Sequence, residues 1–382
     1  MQKNFGVYIH IPFCRQKCFY CDFASYKADK FAPDIYQLYT DALCQETALY
    51  KELFPDICID TIYFGGGTPS LLPIDLTEKI LEKLRSSFTI LSGAEITLEA
   101  NPGTVAAESF YRYRAMGINR LSFGVQAVQN ELLRRIGRIH TIEMANEALR
   151  GAQAAGFDNI SIDLIYALPG QTLAMLKDSI SWALDRDIQH ISVYGLQIED
   201  GTVFGRLYDE HRLSLPDEEE AEAMYDCLTE ELPRHGYERY EISNFARQGF
   251  ASRHNLRYWQ DAPYLGLGAS AHGYYGRTRT QNPADLKTYI ARCKARKLPF
   301  DEEEQVDEKA HMEEFCFLAL RTARGIDKKL FYQTFGRDVE SIYGEQIKKL
   351  VRQNLLIDNE VQICLTNSGM KFGNQVFEEF LL

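Results

Sequence analysis

Short runs rich in Val, Ile, Leu, Phe and Tyr recur at residues 7–11, 59–64, 95–99, 120–125, 160–166 and 191–196, separated by amphipathic stretches at 33–53, 76–88, 105–116, 142–155 and 173–185. Each stretch is long enough for three or more helical turns, so the spacing predicts six strands alternating with helices. Parallel strands cannot be joined by tight hairpins and need crossovers of this kind. The expected fold class is therefore α/β, with a parallel sheet either open or closed into a barrel. In such sheets ligands gather beyond the C-terminal ends of the strands. Unusual residues fall at those ends: Cys14 after the first run, Gly65-Gly66-Gly67 after the second, Asn101-Pro102-Gly103 after the third, Gln126 after the fourth and Leu168-Pro169-Gly170 after the fifth. One rim should carry the site.

After the sixth run the alternation stops. A polar stretch at 199–216 leads to Asp217, Glu218, Glu219 and Glu220, which suit a helix N-terminus because the macrodipole favours negative charge there. A helix to about Pro233 closes a first domain at 1–234. With 382 residues in all, a second and smaller α+β domain at 235–382 is expected. Its end, from about Lys309, reads as three short helices and a two-stranded wing at 355–365. Winged helices can bind DNA, but 54 acidic residues against 42 basic ones give a net charge of −12. The candidate recognition helix at 342–353 offers only Lys348, Lys349 and Arg352, so nucleic acid is not an expected partner. No apolar run approaches the roughly 20 residues that span a bilayer, and MQKNFGVYIHIPFC lacks the features of an export signal. The expected location is the cytoplasm.

Nine cysteines, an odd number without an export signal, argue against a disulfide framework. Cys44, Cys58, Cys227, Cys293, Cys316 and Cys364 are scattered and read as small buried residues. Cys14, Cys18 and Cys21 crowd into CRQKCFYC. Three thiolates on one short loop can reach three corners of an iron–sulfur cubane and leave the fourth iron open to chelate a small molecule and pass it an electron. Zinc is the rival, yet a structural zinc site needs four ligands; His10 sits on an expected strand and no second ligand pair follows. Taken singly, GGGTP is a turn, Glu99 and Asp163 are helix caps or surface charges, and Arg138 is one solvated cation beside Arg134 and Arg135.

Taken together, these segments resemble a known family. CRQKCFYC after YIHIPF, GGGTP at Gly65 to Pro69, LEANPGT from Leu98, LSFGVQ from Leu121, GRIH from Gly137, IDLIYALPGQ from Ile162, YEISNFA from Tyr240 and HNLRYW from His254 are similar to the radical S-adenosylmethionine superfamily. The branch resembled holds the oxygen-independent coproporphyrinogen III oxidases and the HemW-type heme chaperones. The resemblance implies an incomplete (β/α)6 barrel followed by the smaller domain with its winged-helix-like end. It implies a [4Fe-4S] cluster on Cys14, Cys18 and Cys21 whose fourth iron binds S-adenosyl-L-methionine, with reductive cleavage to a 5′-deoxyadenosyl radical. Gly66 and Gly67, with Thr68, would hold the amino group of the cofactor's methionine. Tyr8, Glu99, Gln126, Arg138 and Asp163 match positions that contact one S-adenosylmethionine or, in the oxidases, a second. Tyr20 matches the aromatic residue beside the adenine.

The chain departs from the oxidases at two places. They carry a further cysteine two residues after the last cluster ligand, where this chain has Phe23, and only seven residues precede Tyr8, so their N-terminal extension is not expected. Length, N-terminus, Phe23 and HNLRYW resemble the chaperones instead. The expected function is thus a heme chaperone that delivers heme to acceptor hemoproteins such as respiratory enzymes. The alternative is the oxidase, which decarboxylates two propionates of coproporphyrinogen III to vinyl groups; whether any radical chemistry is catalysed stays open. In HNLRYW, His254 can ligate heme iron axially while Tyr258 and Trp259 supply flat apolar surface, or His254 is a core or capping histidine. His272 in SAHGYY and the other cysteines are rival iron ligands. The family also suggests an electron donor for the cluster, contact with the inner face of the membrane, and a homodimer.

Overall fold

The computed structural model describes residues 4–382. Six parallel strands, β1 (Phe5–Ile11), β2 (Cys58–Gly66), β3 (Thr89–Ala100), β4 (Arg120–Gln126), β5 (Ile160–Tyr166) and β6 (His190–Gly195), lie side by side in chain order. Between them run α1 (Ile35–Leu53), α2 (Ile74–Ser87), α3 (Ala107–Ala115), the short α4 (Asn130–Arg135) with α5 (Ile142–Ala154), and α6 (Leu173–Leu184). The strand residues alternate in chemistry. Val7, Ile9, Ile62, Phe64, Ile96, Leu98, Leu121, Phe123, Ile162 and Ile191 share one core with Tyr39 and Leu43 of α1, Leu81 and Leu84 of α2, Phe110 of α3, Leu149 of α5 and Ile180 of α6. Their neighbours, which a period of two turns to the opposite face, are polar: Tyr8, His10, Thr61, Tyr63, Glu95, Glu99, Arg120, Ser122, Ser161, Asp163 and His190. The helices therefore cover an apolar outer face and leave a polar lining within. Arg120, almost fully buried, is stabilised in its charged form by Glu95 on the next strand.

The barrel is incomplete. β1 and β6 do not pair with each other, and each edge is extended by chain from beyond residue 235. Beside β6 lie β7 (Glu238–Arg239) and β8 (Asn244–Ala246), the latter antiparallel to it. β1 pairs with β9 (Tyr264–Leu267) in parallel, followed by β10 (His272–Tyr275), β11 (Thr278–Gln281) and β12 (Glu302–Gln305). The division expected at 234 thus falls inside one twelve-stranded sheet, and Tyr237, Phe245, Leu265 and Tyr289 belong to the barrel's own core. Four further helices accompany this part: α7 (Val203–Asp209), α8 (Glu218–Arg234), α9 (Arg253–Trp259) and α10 (Leu286–Lys294). Asp217 caps α8 as the acid run suggested, its carboxylate accepting from the Glu220 N–H at 2.8 Å.

A second core begins at Met312 and gathers Phe315, Leu320, Phe331, Tyr343, Ile347, Leu356 and Ile363. It joins α11 (Glu308–Leu320), α12 (Lys328–Phe335) and α13 (Val339–Arg352) to a sheet of β13 (Ile326–Asp327), β14 (Leu356–Asp358) and β15 (Gln362–Leu365). The wing has three strands, not two, because β13 is only two residues long and leaves no alternation to read. His311 of α11 bonds Asp261 just after α9 at 2.6 Å, and Glu314 of α11 pairs with Arg279 of β11 at 2.7 Å, tying this unit to the sheet. Among the described residues no helix is long and apolar enough to cross a membrane.

Candidate functional site

The cysteine loop leaves β1 at the rim. Phe13 and Cys14 pair with Tyr26 and Lys27, which closes the loop at its base. Its outer side is clamped to the segment after α4: the Phe19 N–H donates to the Ile136 carbonyl at 3.0 Å, and the Gln16 side chain donates to that of Gly137 at 3.0 Å. Cys14, Cys18 and Cys21 are free thiols and line one cavity of about 470 Å³. Tyr20, Gly66, Gly67, Thr68, Glu99, Gln126, Arg138 and Asp163 line the same cavity. Of the residues expected to hold the cluster or S-adenosylmethionine, only Tyr8 is absent from it, and His254, Tyr258, Trp259 and His272 also lie outside it.

Local geometry explains why these residue types stand here. Gly66 ends β2 with φ +110°, and a Cβ there would lie 2.6 Å from the His10 ring. A Cβ on Gly67 would lie 2.8 Å from the Phe13 carbonyl oxygen and 3.0 Å from Cys14 Sγ, so the turn can press against the cysteine loop only as glycine. Gln126 takes φ 69° where the register of β4 against β5 slips, an uncommon backbone for a residue other than glycine and one often kept at functional sites.

The donor set fits an iron–sulfur cluster. Thr68 Oγ1 donates to Cys14 Sγ at 3.6 Å and Arg138 Nη1 to Cys18 Sγ at 3.5 Å, the hydrogen bonds thiolates attract. Burial pushes the free Cys14 thiol up, and that of Cys21 up to about 11. Nowhere among the described residues do three His, Cys, Asp or Glu side chains converge on a single ion. Sulfurs that each reach a different iron of a cubane need no such convergence, whereas zinc does. Arg138 Nε is buried without a partner on its cavity-lining side chain.

Two carboxylates face the same space. Glu99 accepts from Tyr63 Oη at 2.8 Å and from the Gly66 N–H at 3.2 Å, and burial raises it to about 7, with Asp163 adding to the rise. Asp163 accepts from Ser122 Oγ at 3.4 Å and is likewise raised by burial. Paired acids in a cavity suit a ligand carrying an amino group. In the ligand-free protein native Glu99 keeps its proton between about 4.5 and about 7, where the unfolded chain releases it, so stability falls as pH rises through that window. Glu99→Gln should flatten this part of the pH dependence of thermal unfolding; an unchanged slope would contradict the assignment.

Tyr8 lies beneath the cavity. His10 Nε2 donates to the Ala24 carbonyl at 2.8 Å, and burial keeps the ring neutral, so Nδ1 accepts from Tyr8 Oη at 3.0 Å. Tyr8 therefore braces the cysteine loop through His10. Sequence reading missed His10, which it weighed only as a zinc ligand, although His10 shares the inward phase of Tyr8 along β1.

His254 is not at the rim. It opens α9, where the Glu95 carboxylate accepts from the Arg253 and His254 N–H groups at 3.1 and 3.0 Å. Its ring is fully buried; Nδ1 bonds Thr61 Oγ1 at 2.9 Å, Nε2 bonds Tyr258 Oη at 2.8 Å, and the ring stacks on Tyr63 with centroids 5.2 Å apart. Thr61 precedes Gly66 by five residues of β2, roughly 16 Å of strand. Both ring nitrogens are engaged within the protein, the arrangement of a core histidine. Tyr258 packs edge-on against His254 and Tyr264, and Trp259 lies under Arg321 at 4.7 Å, so neither presents an open porphyrin platform. His272 is exposed. Phe23 is 60% exposed and stands at the cavity's edge.

The radical SAM superfamily model matches residues 8–183, and the HemN C-terminal domain model matches 306–372. The chain is 40% identical over 379 residues to the heme chaperone HemW of Bacillus subtilis, covering 98% of this chain and 99% of that protein. Against the heme chaperone HemW of Lactococcus lactis it is 38% identical, covering 100% and 98%. Against that of Escherichia coli it is 32% identical, covering 98% of each. Among solved structures, coproporphyrinogen III oxidase (HemN) of Escherichia coli superposes with a TM-score of 0.86 over 100% of this chain and 90% of that one, at 23% identity. That likeness establishes the shared fold.

Proposed function

The chain belongs to the HemW heme chaperone family, on a radical S-adenosylmethionine scaffold, and from this premise we propose that it binds heme and hands it to acceptor hemoproteins. The observation that carries the reading is relatedness to the chaperones along nearly the whole chain. Phe23 supports it against the oxidase: an exposed phenyl ring stands where that enzyme's further cysteine is expected. The acceptors in this reading include respiratory enzymes, met at the inner face of the membrane, and a one-electron donor serves the cluster.

Within the site, Cys14, Cys18 and Cys21 would hold the [4Fe-4S] cluster, and Tyr20, Gly66, Gly67, Thr68, Glu99, Gln126, Arg138 and Asp163 would hold S-adenosylmethionine. When bound, that pair supplies one-electron chemistry. The chain's own residues set its surroundings. Tyr63 and the Gly66 N–H fix Glu99 where it can receive an amino group. Tyr8 and His10 keep the cysteine loop from swinging outward. Arg138 places a cation beside the thiolates and offsets their negative charge.

The test is anaerobic reconstitution with iron and sulfide, then parallel titrations with heme and with coproporphyrinogen III in the presence of S-adenosylmethionine and a reductant. Stoichiometric heme binding without protoporphyrinogen is expected. Turnover of the porphyrinogen without specific heme binding would establish the oxidase instead.

A further inference from the structure

Asn101 follows β3 at the rim and has been given no role so far. Its side-chain amide touches two neighbours. Arg138 Nη2 lies 2.6 Å from Oδ1, and Nδ2 lies 2.9 Å from Thr68 Oγ1. A guanidinium can only donate, so the oxygen must face Arg138 and the NH₂ must face Thr68. Thr68 Oγ1 accepts that bond, which leaves its own hydrogen for Cys14 Sγ. Arg138, held at its other arm, directs Nη1 to Cys18 Sγ. One amide thus aligns two donors, each on a different thiolate.

The backbone around Asn101 is equally determined. Its carbonyl accepts from Thr104 Oγ1 at 2.7 Å and from the Thr104 N–H at 3.0 Å, and its own N–H donates to Ser70 Oγ at 3.4 Å. On the neighbouring strand β4, a Cβ on Gly124 would lie 3.0 Å from Asn101 Oδ1 and 3.1 Å from Arg138 Nη2, and the Gly124 carbonyl also accepts from that nitrogen. Glycine in LSFGVQ is what lets the amide and the guanidinium meet.

We infer that Asn101 is a positioning residue that sets the reduction potential of the cluster, by orienting Thr68 onto Cys14 and Arg138 onto Cys18. The inference rests on the cluster reading given above. Hydrogen bonds to ligating sulfurs withdraw electron density and raise the potential of an iron–sulfur centre. Asparagine is required in particular: aspartate has nearly the same shape and would still accept from Arg138, but it has no N–H for Thr68. The Thr68 hydroxyl would then turn to donate to the carboxylate and leave Cys14.

The experiment is an anaerobic redox titration of the reconstituted full chain, followed by electron paramagnetic resonance without S-adenosylmethionine, with iron and sulfide assayed alongside. Asn101→Asp and Thr68→Val should each keep the cluster and move its midpoint to a more negative potential. The double variant should shift by less than the sum, because both changes remove the same bond to Cys14. Asn101→Ala, which removes the amide from both Thr68 and Arg138 and leaves Arg138 Nη2 only the Gly124 carbonyl as an acceptor, should move the midpoint the same way and stands in if the aspartate variant does not fold. Unchanged midpoints, or fully additive shifts, would overturn the inference. Loss of iron from the variants while the unsubstituted chain stays loaded would also overturn it, since Asn101 would then be needed for assembly. Failure of the unsubstituted chain to take up iron and sulfide would instead sink the cluster reading itself.

Discussion

Cys18→Ser should remove the broad visible absorption of a reconstituted cluster and bring bound iron and sulfide to background, while the metal-free protein unfolds within about 0.5 kcal/mol of the unsubstituted chain. The first half follows from ligand chemistry, since a serine hydroxyl is a hard donor that holds its proton at neutral pH, whereas iron–sulfur clusters select soft thiolates. With three cysteines on the loop and no fourth nearby, no substitute sulfur is at hand. The second half follows from how the loop is held. Its ties are the pairing of Phe13 and Cys14 with Tyr26 and Lys27, the bonds from Phe19 and Gln16 to the segment after α4, and the bond from His10 to the Ala24 carbonyl. None of these involves the Cys18 side chain; the bond from Arg138 does, and a serine oxygen can still accept it. Cys44→Ser, on α1 away from the rim, is the control and should load iron normally. Full iron and sulfide in Cys18→Ser would refute the ligand assignment.

The rim was legible because it depends on a short-range pattern. Alternation of period two within β1 to β6 separates the outward Val, Ile and Phe from inward Tyr, Glu, Arg and Asp, and it places Cys14, Gly66, Asn101 and Gln126 at one end of the sheet. The elements at the barrel's edges were not legible in the same way. β7, β8, β9, β10 and β11 are two to four residues long, too short for alternation to stand out, and they owe their place to pairing with β1, β6 and each other. HNLRYW shows the same limit at one side chain. The words of the motif suit an exposed ligand, but the burial of His254 comes from Thr61, Tyr63 and the Glu95 cap, all more than 150 residues earlier in the chain. The place of Asn101 at the rim was legible but its role was not, because its two partners, Thr68 and Arg138, lie on different loops.

That burial makes His254→Ala the most destabilising single change expected here. The substitution empties a ring-sized space between Tyr8, Tyr63 and Tyr258 and leaves Thr61 Oγ1 and Tyr258 Oη without their partner. Cavity and unpaired polar groups together should cost roughly 3–5 kcal/mol, a fall in Tm of about 5 °C for the heme-free protein. His254→Phe, which keeps the stacked ring but neither hydrogen bond, should recover part of this. Its pH profile carries a further signature. Burial lowers the His254 pKa to about 3, so between about 6.5 and about 3 the unfolded chain binds a proton that the native ring refuses, and stability drops as pH falls through that range. Both variants should lose this share of the acid sensitivity. Heme titration of His254→Phe, at a temperature where it stays folded, then separates the two roles of the residue. Heme binding equal to that of the unsubstituted chain, with the stability and pH effects present, assigns His254 to the barrel floor. An altered Soret band with heme-free stability and acid sensitivity both unchanged would mean that α9 opens readily and that the imidazole is held for iron, not for the fold.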